Sequence, residues 1–250
     1  MSGVSVCIPP KYFANGMSSL LDRLQYAEFR KQVADEMSNP SASYSNDYLL
    51  AGGFSGIYIT SSPNEPEAEQ KTLSVYAEEL GRNPMDVFFD LLITNQGALN
   101  GIFFAMDNEE VKEIYRHPLT VVGSDGLCFD VENKGHPRTW GTFVKTLVEY
   151  VDEMGLVSFE DAIYKQTLKT AEFWGLVGKG LIAEGYDADL VLLNRSLLKS
   201  TATFSNPNQK PLGIEGVYVA GHCAYRDSEL TGNYYGKMLR NKQWQGNHPG

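Results

Sequence analysis

Between Thr120 and Gly126 the chain reads Thr-Val-Val-Gly-Ser-Asp-Gly, a stretch that predicts a short strand followed directly by a sharp turn. In parallel α/β folds, ligands and catalytic groups gather at the carboxyl ends of the strands. Asp125 stands at such an end and is therefore a candidate catalytic residue. A plain Asx turn or a helix cap would use the same residues, and this fragment alone leaves both interpretations open.

A second polar stretch, His136-Pro-Arg138, follows eleven residues after Asp125. An arginine held by a preceding proline can present its planar guanidinium to the carboxylate of a substrate. The alternative is an exposed loop whose arginine forms an ordinary ion pair. His136 is either a neighbour of the site or a loop histidine, and spacing alone does not decide between these roles.

Strand and helix patterns alternate up to about residue 176, which predicts an α/β fold with a parallel sheet. Beyond that point glycine turns and apolar strands predominate, and the pattern around Ala220 and Gly221 predicts a β-hairpin. The predicted helices cover residues 17–37, 107–116 and 141–154 and begin also near 71, 84 and 158; the predicted strands cover 57–60, 101–106, 120–122, 190–193, 217–219 and 223–225.

Composition excludes several classes of protein. The sequence carries 21 Lys and Arg against 31 Asp and Glu, a net charge of −10, which argues against a nucleic-acid-binding protein. No apolar run approaches the length of about 18 residues that a membrane-spanning helix needs, so no membrane partner is expected. The three widely spaced cysteines, Cys7, Cys128 and Cys223, predict reduced thiols and a cytoplasmic location.

Histidine is scarce, with four residues and no H-x-H, H-E-x-x-H or C-x-x-C pattern, so the sequence predicts no complete metal site of its own. The motifs of the sequence nevertheless resemble the C-terminal half of N-acyl-D-amino-acid deacylases (D-aminoacylases), and they occur in the same order from about Pro9 to Arg240. These enzymes belong to the zinc-dependent amidohydrolase superfamily. The motifs are Gly123-Ser-Asp-Gly126, His136-Pro-Arg138 with Gly141-Thr-Phe143, Tyr150-Val151, Ala188-Asp-Leu190, Ala202-Thr-Phe204, Gly213-Ile214 and Val217-x-Val219-x-Gly221.

The resemblance implies an α/β fold that is the C-terminal part of a (β/α)8 TIM-like amidohydrolase barrel, with part of a small β-sandwich. Residues 1–177 would then belong to the barrel, with a family insertion at about 40–110. Residues 178–232 would form the sandwich portion, and residues 233–250 would form a tail.

The resemblance also implies hydrolysis of N-acyl-D-amino acids to a carboxylate and a D-amino acid. In this family an aspartate at the position of Asp125 moves the proton of the attacking water and also contacts the more weakly held metal. Arg138 matches the arginine that binds the substrate carboxylate, and His136 is carried as its neighbour. Zinc is the implied cofactor. Because its main ligands would lie upstream, the chain is expected to need an N-terminal half and to be inactive alone.

Two other functions remain open at this stage. The chain is alternatively a non-catalytic remnant that acts as a binding or oligomerisation module, since an incomplete barrel exposes sheet edges and apolar strand faces that call for a partner. It is alternatively part of an amidohydrolase with a different amide specificity. The side-chain preference depends on loops that the motifs do not describe.

Overall fold

The computed structural model describes residues 2–41, 43–127 and 135–240, so Cys128 and the last ten residues of the predicted tail lie outside the described part. The chain divides into two compact units. The first contains the described residues up to 107 together with 135 and 136, and the second contains residues 108–127 and 137–240. The boundary predicted near residue 177 lies inside the second unit and stays a prediction. No helix in the described ranges is long and apolar enough to cross a membrane.

The first unit joins short helices to a small sheet. Strand β3 lies between β1 and β2, and both pairings are antiparallel. The elements are β1 (Ser2–Gly3), α1 (Gly16–Arg23), α2 (Ala27–Met37), α3 (Asp47–Leu50), β2 (Ile57–Ser61), α4 (Leu73–Glu79), α5 (Pro84–Thr94) and β3 (Asn100–Phe103), with 3-10 turns at Val4–Cys7, Pro10–Phe13, Phe54–Gly56 and Pro66–Ala68.

Local signals placed several of these elements correctly. The side chain of Thr72 caps α4 and that of Asn83 caps α5, where Pro84 occupies the first helical position as expected. The single helix predicted over residues 17–37 is wrong, because α1 ends at Arg23 and α2 begins at Ala27. The carbonyl of Leu24, which a continuous helix would use internally, instead accepts a hydrogen bond from Nε of Arg30 at 2.5 Å.

The core of the first unit is rich in aromatic side chains. Phe88 is fully buried, with its ring centroid 5.3 Å from those of both Phe54 and Phe89. Helix α5 contributes five side chains to this core on its buried side, Val87, Phe88, Phe89, Leu91 and Leu92. Offset and edge contacts between rings add to the hydrophobic contribution of the buried area.

The second unit begins with helices. These are α6 (Asn108–Arg116), α7 (Arg138–Lys145), which continues as π-helical turns over Thr146–Glu153, α8 (Phe159–Gln166) and α9 (Leu168–Trp174). The strand predicted over residues 120–122 is wrong for this structure, because the segment is irregular and no described strand pairs with it. The parallel pairing predicted from the alternation is also not seen within the described residues, where both sheets are antiparallel.

The second unit ends in a four-stranded sheet of order β4-β5-β6-β7, formed by Leu190–Leu193, Ile214–Val219, His222–Arg226 and Glu229–Leu230. The predicted hairpin is confirmed: Ala220 (φ 51°) and Gly221 (φ 80°) form its two-residue turn. The backbone N–H of Ala220 donates to Oδ1 of Asp189 at 2.8 Å, and Lys179 forms ion pairs with Asp187 and Asp189. These contacts fix the turn against the residues that lead into β4.

Replacing Phe88 by alanine should lower the free energy of unfolding of the first unit by about 3–5 kcal/mol, because a fully buried ring leaves a cavity that its neighbours cannot fill. Urea unfolding followed by far-ultraviolet circular dichroism measures the change. The control is Leu50→Ala at an exposed position, which we expect to change the free energy by less than about 0.5 kcal/mol. Equal effects of the two substitutions would contradict this assignment of the core.

Acid should weaken the second unit through Asp189. The hydrogen bond from Lys179, and next the one from the backbone of Ala220, lower the pKa of Asp189 below its ordinary value. The ionised carboxylate therefore stabilises the fold above about pH 4, and this contribution is lost as the pH falls further. We expect Asp189→Asn to lower the thermal midpoint at pH 7, with the difference from wild type shrinking below pH 4. Tryptophan fluorescence follows the transition, and a difference independent of pH would contradict this role.

Candidate functional site

The structure brings together two of the predicted site residues, Asp125 and Arg138. Oδ2 of Asp125 lies 2.6 Å from Nη2 of Arg138, within the second unit. The Asp125 side chain is 81% exposed, whereas that of Arg138 is 30% exposed. The pair thus joins an accessible carboxylate to a partly buried guanidinium, an arrangement that a ligand can approach from the carboxylate side.

The backbone at Asp125 adopts a conformation that is unusual for a residue with a side chain. Its φ is 47°, in the left-handed region, which costs most L-residues about 1 kcal/mol and which aspartate tolerates better than most. The hydroxyl of Ser124 accepts the backbone N–H of Gly126 at 3.1 Å and closes the turn around Asp125. Such conformations cluster at functional sites, and this one supports the candidacy of Asp125.

Gly126 brings the turn close to helix α7. A Cβ atom built on Gly126 would lie 2.9 Å from the Cα of Thr139, closer than real side chains approach a backbone atom. Thr139 follows Arg138 directly, so this contact determines how near the Asp125 turn lies to the guanidinium. The sequence motifs do not include Thr139, although the glycine before Leu127 and the small threonine after Arg138 are signals of close packing.

Helix α7 carries Arg138 as its first residue. Pro137 precedes the helix with φ −57°, and its carbonyl accepts the N–H of Gly141 at 2.9 Å, so the proline restrains the start of the helix as predicted. A Cβ atom on Gly141 would lie 3.1 Å from Oγ of Ser200 and 3.4 Å from Cβ of Ala202. Two motifs separated by about sixty residues in the sequence are therefore neighbours in this unit.

His136 is half-buried and belongs to the first unit, unlike Asp125 and Arg138. The structure therefore does not add His136 to the Asp125–Arg138 pair. Its place beside the substrate stays a prediction.

A metal site needs more ligands than this region supplies. In the described ranges no group of three or more His, Cys, Asp or Glu side chains is arranged to hold a metal ion. Zinc in proteins takes three or four such ligands, and the carboxylate of Asp125 is here paired with a guanidinium. The described residues therefore do not by themselves fit the zinc centre that the motifs imply, and Asp125 as a weak metal ligand stays a prediction.

Gly126→Ala should disturb the site whereas Gly123→Ala should not. The new methyl group at residue 126 would meet the backbone of Thr139, which must move, whereas nothing lies within 4 Å of a Cβ atom at residue 123. We expect the first substitution to lower the free energy of unfolding of the second unit by about 1–3 kcal/mol and the second to leave it nearly unchanged. Urea unfolding followed by the fluorescence of Trp140 and Trp174 measures both. A tolerated Gly126→Ala would refute the close packing.

The amidohydrolase family model matches residues 70–225, more than half of the chain. An N-acyl-D-aspartate deacylase from Alcaligenes xylosoxydans xylosoxydans is 42% identical over 174 residues, which are 70% of this chain and 33% of the deacylase. A D-aminoacylase from the same organism is 38% identical over 191 residues, 76% of this chain and 37% of that enzyme. The chain thus spans about a third of the length of these relatives.

Comparison with solved structures also finds similarity to D-aminoacylases and related deacylases. The crystal structure of a D-aminoacylase superposes with a TM-score of 0.67 at 34% identity, covering 78% of this chain and 39% of that one. An N-acyl-D-glutamate deacylase from Bordetella bronchiseptica, complexed with zinc and a phosphonate inhibitor, gives a TM-score of 0.62 at 32% identity, covering 72% and 37%. The likeness confirms the predicted fold class, an α/β part of the amidohydrolase architecture of barrel and β-domain. Sequence and structure together show that the chain belongs to the amidohydrolase family, with N-acyl-D-amino-acid deacylases among its relatives.

Proposed function

We propose that this chain is the later part of a metal-dependent hydrolase that converts N-acyl-D-amino acids to a carboxylate and a D-amino acid. The observation that carries the proposal is the exposed carboxylate of Asp125, held in a left-handed turn beside Arg138 at 2.6 Å. The relatives named above, deacylases of N-acyl-D-aspartate and of N-acyl-D-glutamate, support the substrate class.

In this function Asp125 is the general base and then the general acid. Its accessible carboxylate takes a proton from the water that attacks the amide carbonyl and delivers that proton to the departing nitrogen. The left-handed turn leaves the carboxylate exposed, and the contact between Gly126 and Thr139 restrains the turn. A group in this role needs a fixed position as well as access to water, and both are present at Asp125.

Arg138 binds the carboxylate of the substrate in the same proposal. Its guanidinium already holds one carboxylate, that of Asp125, and a planar guanidinium can hold a second through its remaining N–H groups or exchange one for the other. The substrate carboxylate would thereby be fixed close to the proton-transferring group. His136 is kept as a neighbour of this subsite.

Zinc is the proposed cofactor, supported by the zinc in the solved N-acyl-D-glutamate deacylase complex. Because the described residues of this chain do not supply the necessary ligands, an N-terminal half of the same enzyme would bring them. Strand β4 is consistent with such a partner: Val191 is 58% exposed, and Leu190 and Leu192 are also exposed at the edge of the sheet. On this proposal the chain alone is inactive.

Charge and cysteine chemistry support the remaining parts of the proposal. A net charge of −10 favours a small-molecule substrate over nucleic acid as the partner. Cys7 and Cys223 are both free thiols, which suits the cytoplasmic location inferred from the sequence.

A non-catalytic binding module is the second candidate, favoured by the lack of a complete ligand group in the described part of the chain. Metal analysis separates the two functions. Zinc retained in stoichiometric amount by a complex of this chain with an N-terminal amidohydrolase segment supports the hydrolase. A cooperatively folding chain that neither recruits such a segment nor retains zinc supports the module.

Asp125→Asn should lower kcat by about 10²–10⁴-fold in the complex reconstituted with an N-terminal segment and zinc, because the amide cannot take up the proton of water. Hydrolysis of N-acetyl-D-aspartate, N-acetyl-D-glutamate and N-acetyl-D-leucine is measured in parallel, which also tests whether the amide specificity differs. The matched control is Asp227→Asn, because Asp227 is likewise exposed and left-handed at φ 53°. Undiminished turnover of the Asp125 variant would overturn the proposed role.

Arg138→Met should mainly raise KM, because binding of the substrate carboxylate is lost while the proton-transferring group remains. An unchanged KM for all three substrates would remove Arg138 from the substrate subsite.

A further inference from the structure

Lys165 is the one charged residue that is buried among the described residues. Its side chain lies on α8 at 5% exposure, three residues after the fully buried Ala162 and on the same side of the helix. Lysine is rarely buried unless its ammonium group is fully bonded, since removing the charge from water is costly. The mechanism proposed above makes no use of this residue.

The ammonium group of Lys165 is bonded entirely to one short stretch of chain. Nζ donates to the carbonyl oxygen of His117 at 2.7 Å, to the hydroxyl of Thr120 at 2.9 Å and to the carbonyl of Thr120 at 3.3 Å. Three acceptors satisfy the three N–H groups of an ammonium ion. All three are neutral oxygens, so no carboxylate compensates the buried charge at hydrogen-bonding distance, and burial lowers the pKa of Lys165.

The stretch held by Lys165 leads directly to Asp125. We define residues 117–122 as the approach segment, since only Gly123 and Ser124 separate it from Asp125. The backbone of Lys165 also takes part, because its carbonyl accepts the N–H of Val122 at 3.4 Å. The approach segment is therefore held by the side chain of Lys165 at its beginning and by the main chain of Lys165 at its end.

The approach segment has no strand partner that could hold it instead. In a β-sheet, ladder hydrogen bonds would fix residues 120–122, but no described strand pairs with them. Tyr115 closes the remaining side of the ammonium group, with its ring centroid 5.7 Å from Nζ. A methionine of similar length would fill the same space but would offer no donor to the three oxygens.

We propose that Lys165 is a positioning residue for Asp125: its buried ammonium group holds the approach segment and so determines where the Asp125 turn meets Arg138. This inference deepens the proposed function, because it concerns the same carboxylate. It makes a separate structural claim, however, which can be tested without catalysis. The ion pair between Asp125 and Arg138 is the reporter.

The first experiment uses the full 250-residue chain, uniformly labelled with ¹⁵N, and observes the Nε–H signals of its arginine side chains. Asp125→Asn identifies the Arg138 Nε–H signal and gives its position when the ion pair is absent. We expect Lys165→Met to move the Arg138 signal toward that position. We expect Thr120→Val to move it part of the way, because valine removes one acceptor of Lys165, together with the hydrogen bond from the hydroxyl to the carbonyl of His117, and keeps the lysine. Lys199→Met, at an exposed lysine of the same unit, should leave the signal unchanged.

Backbone amide signals of β4–β7 show in the same samples whether each variant is folded. A folded Lys165→Met chain with the wild-type Arg138 signal would overturn the proposal and leave Lys165 a purely structural residue. If Lys165→Met does not fold, Thr120→Val decides: a shift of the Arg138 signal supports the proposal, and an unmoved signal overturns it.

The second experiment measures kinetics in the reconstituted, zinc-loaded complex. Lys165→Met should displace Asp125 and lower kcat by about 10–100-fold, because misplacing a reacting group by about 1 Å has effects of this size. KM should change less than about threefold, because Arg138 still offers its guanidinium to the substrate. A rise in KM with unchanged kcat would overturn the positioning role. If the wild-type complex shows no turnover, the proposed function fails while the spectroscopic result still decides the role of Lys165.

Discussion

Close packing between Gly126 and the backbone of Thr139 is the constraint on which the candidate site depends. It joins an irregular segment to the first turn of a helix without any side chain between them, and the Asp125 carboxylate meets the Arg138 guanidinium as a result. Any side chain at residue 126 would force the backbone of Thr139 to move. The left-handed turn at Asp125 and the proline before Arg138 then restrain the backbone that carries the two charged groups.

An ion pair this exposed stabilises a fold only weakly, because solvent screens it and each charge is well hydrated when apart. The proposed function requires both groups to exchange partners, and a weak ion pair permits this exchange. The strong contacts are made by neighbouring residues and not by the ion pair itself. They are the close packing of Gly126 and the hydrogen bonds of the buried Lys165. Rigid support beneath a weak, exchangeable pair is how a site can be both preorganised and accessible.

Local patterns predicted the hairpin at Ala220, the start of α5 at Asn83 and Pro84 and the candidates Asp125 and Arg138, because each depends on neighbouring residues. The contact between Gly126 and Thr139 is not local, and neither is the role of Lys165, which bonds to residues 45 to 48 positions earlier. Residues 120–122 have strand propensity, but a strand also needs a neighbour to pair with. The sequence pattern of one segment cannot supply that information.

Among the described residues, the buried core of the first unit runs from Val4 to Leu99, with Phe103 packed against it. During synthesis, then, every side chain of this core has been made before the ribosome reaches Asp125. Domains commonly fold as units in the order of their synthesis. The Asp125 turn and helix α7 would consequently be made after the side chains of that core, and the exposed apolar strand β4 later still.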